Sequence, residues 1–115
     1  MRVLFAEDDP QLRTMLGRML GALGHQAEGV RDGRELLRLA GSGGPDLVLS
    51  DIDMPGCDGI LAGKILKRDR PGLAFLLMTG DPRSADAARA AGFHRILSKP
   101  FSMEELAAAL ASGPP

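Results

Sequence analysis

Glu7-Asp8, Asp51 with Asp53, Thr79 and Lys99 are the residues of this chain whose types and placement could do chemistry. Each group stands where a short apolar run stops: the acidic pair after "RVLFA", Asp51 after "LVLS", Thr79 at the end of "LAFLLMT", and Lys99 after "RILS". Carboxylates crowded together repel strongly unless a cation sits among them. A few carboxylates with water suit Mg²⁺, or Mn²⁺ in its place, and leave coordination positions free for phosphate oxygens. An ammonium and a hydroxyl beside such an ion complete the parts needed to hold a phosphoryl group in transfer, because charge then spreads over its equatorial oxygens. Asp51, extending from an apolar run, is the candidate nucleophile, its carboxylate attacking phosphorus to give an acyl phosphate.

These residues can meet only if the segments before them are parallel strands whose ends share one edge. Short apolar runs do alternate with helical patterns along the whole chain, which is the signature of βαβ units. Strands are expected at 2–6, 47–50 and 73–79, where apolar residues run continuously as they do when both faces are covered, and at 26–30 and 95–98. The first helix is marked by Leu12, Met15, Leu16, Met19, Leu20 and Leu23 at spacings of three and four, with Asp9 to cap, Pro10 at the first turn and Gly24 at the exit. Asp32 with Glu35 and Ser102 with Glu105 have capping-box spacing and open helices at 33–40 and 103–111. Two further helices are expected at 59–68 and 84–91. Five such units fit a single α/β domain with an open, doubly wound parallel sheet, in which ligands bind beyond the carboxyl ends of the strands.

The chain has 115 residues, 44% of them hydrophobic, and a net charge of −1. That suits one domain with a true core, and argues against a disordered tail or a generally basic nucleic-acid binder. The single cysteine, Cys57, excludes an internal disulfide framework and any multi-cysteine metal site, and is expected on the solvent side of its loop. His25 and His94 fall in turn regions, where a structural or surface role is favoured over metal ligation. The N-terminal apolar run is too short for a secretory signal and no stretch approaches a membrane span, so a cytoplasmic location without membrane contact is the expectation.

"VLFAEDDP", "LVLSDIDMPGCDG", "LLMTGD" and "LSKPF" together resemble the four motif blocks of the receiver domain of bacterial two-component response regulators, in that family's order and spacing. The resemblance covers essentially the whole chain: a receiver at 1–112 and a tail or linker remnant at 113–115. It implies a flavodoxin-like fold, a five-stranded sheet of order 2-1-3-4-5. It further implies that Asp51 is the phosphoacceptor, that Asp8 binds the metal directly and Glu7 through water, and that Asp53 contributes its backbone carbonyl. Thr79 matches the switch hydroxyl and Lys99 the family lysine, and the bond before Pro100 is expected to be cis. Where the family often has Tyr or Phe, three residues before the lysine, this chain has Ile96.

The resemblance implies a phosphoacceptor switch that assists its own phosphorylation and dephosphorylation and is not otherwise an enzyme. The donor would be a histidine kinase or a histidine phosphotransfer protein. Output would pass to a downstream protein through the face built from residues 84–111, a phosphorylation-dependent dimer being one form it can take; direct DNA binding is not expected of this chain. Asp53 and Asp81 flank the site and are expected to bear on how long a phosphoryl group survives. Two other readings compete. A haloacid dehalogenase-type phosphatase also places Asp-x-Asp after an apolar strand, but there the nucleophile comes first along the chain and the acidic pair last, the reverse of the order here. A receiver-fold interaction module without phosphate control is the other; every chemical position is retained, which gives it no support, and Ile96 keeps it open only for the signalling output.

Overall fold

In the computed structural model, which describes residues 1–111, the five expected strands lie side by side, all parallel, in the order β2-β1-β3-β4-β5. The strands are β1 (Arg2–Ala6), β2 (Gln26–Val30), β3 (Leu47–Asp51), β4 (Ala74–Thr79) and β5 (Ile96–Ser98). Between and after them run α1 (Pro10–Ala22), α2 (Gly33–Gly41), α3 (Gly59–Asp69), α4 (Pro82–Ala90) and α5 (Met103–Ala111). The tail expected at 113–115, and the domain boundary at 112, lie outside the described residues.

Strand alternation divides the core in two. Val3 and Phe5 of β1 with Leu47 and Leu49 of β3 pack against Leu16 and Leu20 of α1 and Leu106 and Leu110 of α5. Leu4, Ala6 and Val48, one residue out of phase, pack on the other face against Leu36 and Ala40 of α2 and Ala62 and Leu66 of α3. A smaller cluster of Ile52, Leu77, Ala88 and Phe93 seats α4 on that second face. Burial on both faces explains why β1, β3 and β4 read as continuous apolar runs.

The helix starts follow the local chemistry. Asp9 accepts from the backbone N–H groups of Gln11 and Leu12, with Pro10 next in line, and Asp81 accepts from Arg83 N with Pro82 next. That second Asp-Pro pair starts α4 two residues before the position expected from sequence. Asp32 accepts from Glu35 N to begin α2, and Ser102 and Glu105 cap α5 reciprocally at 3.0 Å each.

Two packing expectations are corrected. Leu12 and Met15 lie on the apolar-spaced stripe of α1 but are 38% and 51% exposed, while Leu16 and Leu20 of the same stripe are buried. Cys57 is buried with the α2 and α3 cluster. Its loop is drawn inward because Gly33, at the start of α2, leaves room for it: a Cβ there would collide with the Cys57 carbonyl.

Gly59 plays the same part nearer the candidate site. A Cβ at this first residue of α3 would strike the Asp51 carbonyl oxygen, while Gly59 N–H donates to Ile52 O at 2.9 Å. Gly59→Ala is therefore expected to destabilise the fold by about 1–3 kcal/mol, as overpacking does. Gly21, inside α1, faces open space among the described residues. Gly21→Ala is expected to stabilise by about 0.5–1 kcal/mol. Urea unfolding of the two variants checks the pair; shifts of the same sign would contradict this packing.

Candidate functional site

Parallel pairing sends the carboxyl end of every strand to one edge. β1 delivers Glu7 and Asp8 there, β3 delivers Asp51, β4 ends in Thr79, and β5 pairs Ser98 with Thr79 just before Lys99. Carboxylate oxygens of Glu7, Asp8 and Asp51 all come within 4.8 Å of one another. Glu7 and Asp51 are buried, 2% and 5% exposed, while Asp8 faces solvent.

The Lys99 ammonium donates to Glu7 Oε1 at 2.6 Å and to Asp51 Oδ2 at 2.8 Å, so that a lysine from near one end of the chain bridges an acid from the other end and one from its middle. The remaining oxygens are also engaged: Asp9 N donates to Glu7 Oε2 at 3.3 Å and Asp53 N to Asp51 Oδ1 at 3.3 Å. Arg13, on α1, reaches back to the Glu7 backbone carbonyl at 2.9 Å and fixes the turn that carries the acidic pair. The peptide bond between Lys99 and Pro100 is cis.

Burial raises the pKa of Glu7 above the usual carboxylate value; the hydrogen bond from Lys99 opposes that shift and the charge of Asp51 adds to it. For Lys99, burial works against the charged form, but its bonds to Asp51 and Glu7 and the charges of both outweigh it, so its pKa lies above that of an ordinary lysine. One ammonium thus serves two buried carboxylates, with a third beside them. Oxygen donors alone, at least one of them open to solvent, fit a hard divalent ion such as Mg²⁺. Glu7, Asp8 and Asp51 supply the carboxylates of such a set.

Thr79 is brought to the same edge but its hydroxyl does not bond Asp51. It donates instead to Asp53 Oδ2 at 2.8 Å, and Asp53 Oδ1 accepts from Ser84 Oγ at 2.7 Å. Ser84 was not anticipated from sequence, where a serine in a first helical turn carries no sign of a partner thirty-one residues away. Ile96 is half-buried in β5 against the cluster of Ile52, Leu77, Ala88 and Phe93. The other candidates stand apart. Burial, and then the charges of Asp58 and Asp32, push the Cys57 thiol up, which disfavours a nucleophilic thiolate. The N-terminal amine donates to His25 Nδ1 at 3.1 Å, and His94 is exposed. Among the described residues no helix is long and apolar enough to cross a membrane.

Comparison with known proteins agrees with this geometry. The family model described as "Response regulator receiver domain" matches residues 3–111. The chain is 35% identical over 113 residues to the transcriptional regulatory protein TcrA of Mycobacterium tuberculosis, covering 95% of this chain and 44% of TcrA. It therefore spans less than half of that relative's length. Among solved structures it resembles the response regulator TrrA of Thermotoga maritima in complex with Mg²⁺ and BeF (TM-score 0.87, 27% identity, 95% of each chain). It also resembles the receiver domain of a sensor histidine kinase from Pseudomonas aeruginosa with magnesium coordinated in its active-site cleft (TM-score 0.86, 28% identity, 95% of this chain and 93% of that one).

A metal site of this composition has a thermodynamic signature. Free Mg²⁺ about tenfold above its Kd is expected to stabilise the protein by about 1.4 kcal/mol. Asp8→Asn is expected to melt no lower than the parent without metal, since a repulsion is relieved, and to lose most of the Mg²⁺ response. The raised pKa of Glu7 sets the pH dependence. The folded protein holds a proton there that the unfolded chain has already lost, so without metal stability falls as pH rises through that window. Mg²⁺ competes with that proton, so its stabilising effect is expected to grow over the same window. Thermal melts with and without Mg²⁺ at several pH values check both statements; an equal Mg²⁺ response in Asp8→Asn would contradict the first.

Proposed function

The chain belongs to the response regulator receiver domain family, and from that premise we propose that Asp51 accepts a phosphoryl group from a phosphohistidine donor and thereby switches the protein's affinity for a partner. The observation that carries this reading is the Lys99 ammonium, hydrogen-bonded to Asp51 and to Glu7 with Asp8 alongside. A buried carboxylate held by a lysine, beside an acidic pair able to take a divalent cation, is equipped to attack phosphorus and to tolerate the charge that follows.

In the transfer, an Asp51 carboxylate oxygen forms the new P–O bond while the donor's P–N bond breaks. The imidazole leaves with the electron pair of that bond. Glu7 and Asp8 orient the site, and Lys99 turns from a carboxylate oxygen of Asp51 to an oxygen of the transferred group. When bound, Mg²⁺ held by Glu7, Asp8, Asp51 and the Asp53 backbone carbonyl would neutralise charge on the phosphoryl oxygens; Mn²⁺ has the same donor preference. The protein is consumed stoichiometrically as acceptor, so it assists a reaction on itself without turning over a substrate.

The donor is a histidine kinase or a histidine phosphotransfer protein. The downstream partner is expected on the face made by α4, β5 and α5, whose start lies beside Thr79 and Lys99. Transfer of a doubly charged group to Asp51 biases a two-state equilibrium of that face, for which a coupling of roughly 1–3 kcal/mol is typical.

Asp51→Asn is expected to abolish labelling by a phosphohistidine donor or by acetyl phosphate; undiminished labelling would remove the assignment. Lys99→Ala is expected still to take up phosphate, more slowly, while losing the change in partner affinity that phosphorylation gives the parent. Binding measurements on phosphorylated parent and variant decide, and an unchanged response in Lys99→Ala would contradict the role given to the lysine.

A further inference from the structure

The side chain of Asp53 has a task separate from its backbone carbonyl. Its two oxygens accept from two hydroxyls at once, Thr79 Oγ1 at 2.8 Å and Ser84 Oγ at 2.7 Å. Thr79 is the last residue of β4 and Ser84 lies in the first turn of α4, so one carboxylate just past β3 ties a strand end and a helix start together. The tie is not needed to cap α4, because Asp81 already accepts from Arg83 N at 2.9 Å. Nor does Thr79 have a second proton to give. Its oxygen accepts from Asp81 N at 3.1 Å, and its single proton is given to Asp53.

We propose that the Asp53 carboxylate is a two-pronged latch: it holds Thr79 and Ser84 in the resting arrangement, and phosphorylation of Asp51 opens it and frees the first turn of α4. The inference rests on the reading of Asp51 as the acceptor. Asp53 N–H already contacts Asp51 Oδ1, so a phosphoryl group on Asp51 is formed next to the latch. Two effects then act in one direction. The phosphoryl oxygens compete with Asp53 for the one Thr79 proton, and their negative charge repels the Asp53 carboxylate. Once Thr79 has changed acceptor, Asp53 is displaced and Ser84 loses its tether.

The latch also supplies an output route that Ile96 does not. An isoleucine packed among Ile52, Leu77, Ala88 and Phe93 has no polar end to draw it between a buried and an exposed position. Release of Ser84 carries the change into α4 without any movement at residue 96.

The test is an amide NMR titration of the ¹⁵N-labelled full chain with beryllofluoride and Mg²⁺, in the parent, Ser84→Ala and Asp53→Ala. In the parent, amides of Asp51, Thr79, Lys99 and residues 83–86 are expected to shift on addition. In Ser84→Ala, amides 83–86 are expected to lie part-way to the bound positions before addition, and the titration midpoint to fall about three- to tenfold, because less of the analogue's binding goes into opening the latch. Asp53→Ala is expected to fall at least as far. If the parent binds the analogue while both variants keep its midpoint and its resting amide positions, the latch is overturned and the acceptor role stands. If the parent shows no shift at Asp51 and Lys99, the acceptor role falls and the latch with it.

Discussion

The structure depends on one ammonium placed between two buried carboxylates. Glu7 and Asp51 lie buried at the ends of strands in the middle of the sheet, where an unpaired carboxylate is costly. Lys99 is the group that makes the arrangement tenable, and it arrives from the far end of the chain at 2.6 and 2.8 Å from their oxygens. Everything else at this edge is arranged around that bridge: Arg13 fixes the turn bearing Glu7, Asp9 and Asp53 offer backbone N–H groups to the spare oxygens, and Asp8 stays in water. The same bridge gives the site its chemistry. A carboxylate already paired with a movable cation can gain a phosphoryl group and keep a counter-charge close by.

The fold answers the positional requirement that this bridge imposes. Only parallel strands bring Ala6, Asp51, Thr79 and Ser98 to a common edge, and only short caps immediately after them keep the turns tight enough for side chains to meet. Gly59 lets α3 begin against the carbonyl of Asp51 itself, so the helix that leaves the site is packed onto the strand that carries it. Stability and site geometry are thus coupled at Gly59 and Asp51.

Much of this was legible in the residues. The continuous apolar runs of β1 and β3, the Asp-Pro start of α1 and the reciprocal cap of α5 are local signals, and the structure has each of them. Glu7, Asp8, Asp51 and Lys99 could be grouped because all four follow strands. What sequence did not reveal depends on tertiary placement that spacing along the chain does not encode. Leu12 and Met15 share the spacing of Leu16 and Leu20 but stay exposed, and Cys57 is drawn inward by the space that Gly33 leaves. The pairing of Ser84 with Asp53 is a contact between a loop and a helix turn, with no periodicity to announce it.

The account stands most directly on where the phosphoryl group goes. The protein, phosphorylated with acetyl phosphate and Mg²⁺, can be reduced with borohydride, which converts an aspartyl phosphate to homoserine, and then mapped by peptide mass spectrometry. Homoserine at position 51 and at no other acid is the predicted result. Phosphate recovered on another aspartate, on a hydroxyl residue or on a histidine, with Asp51 intact, would contradict it.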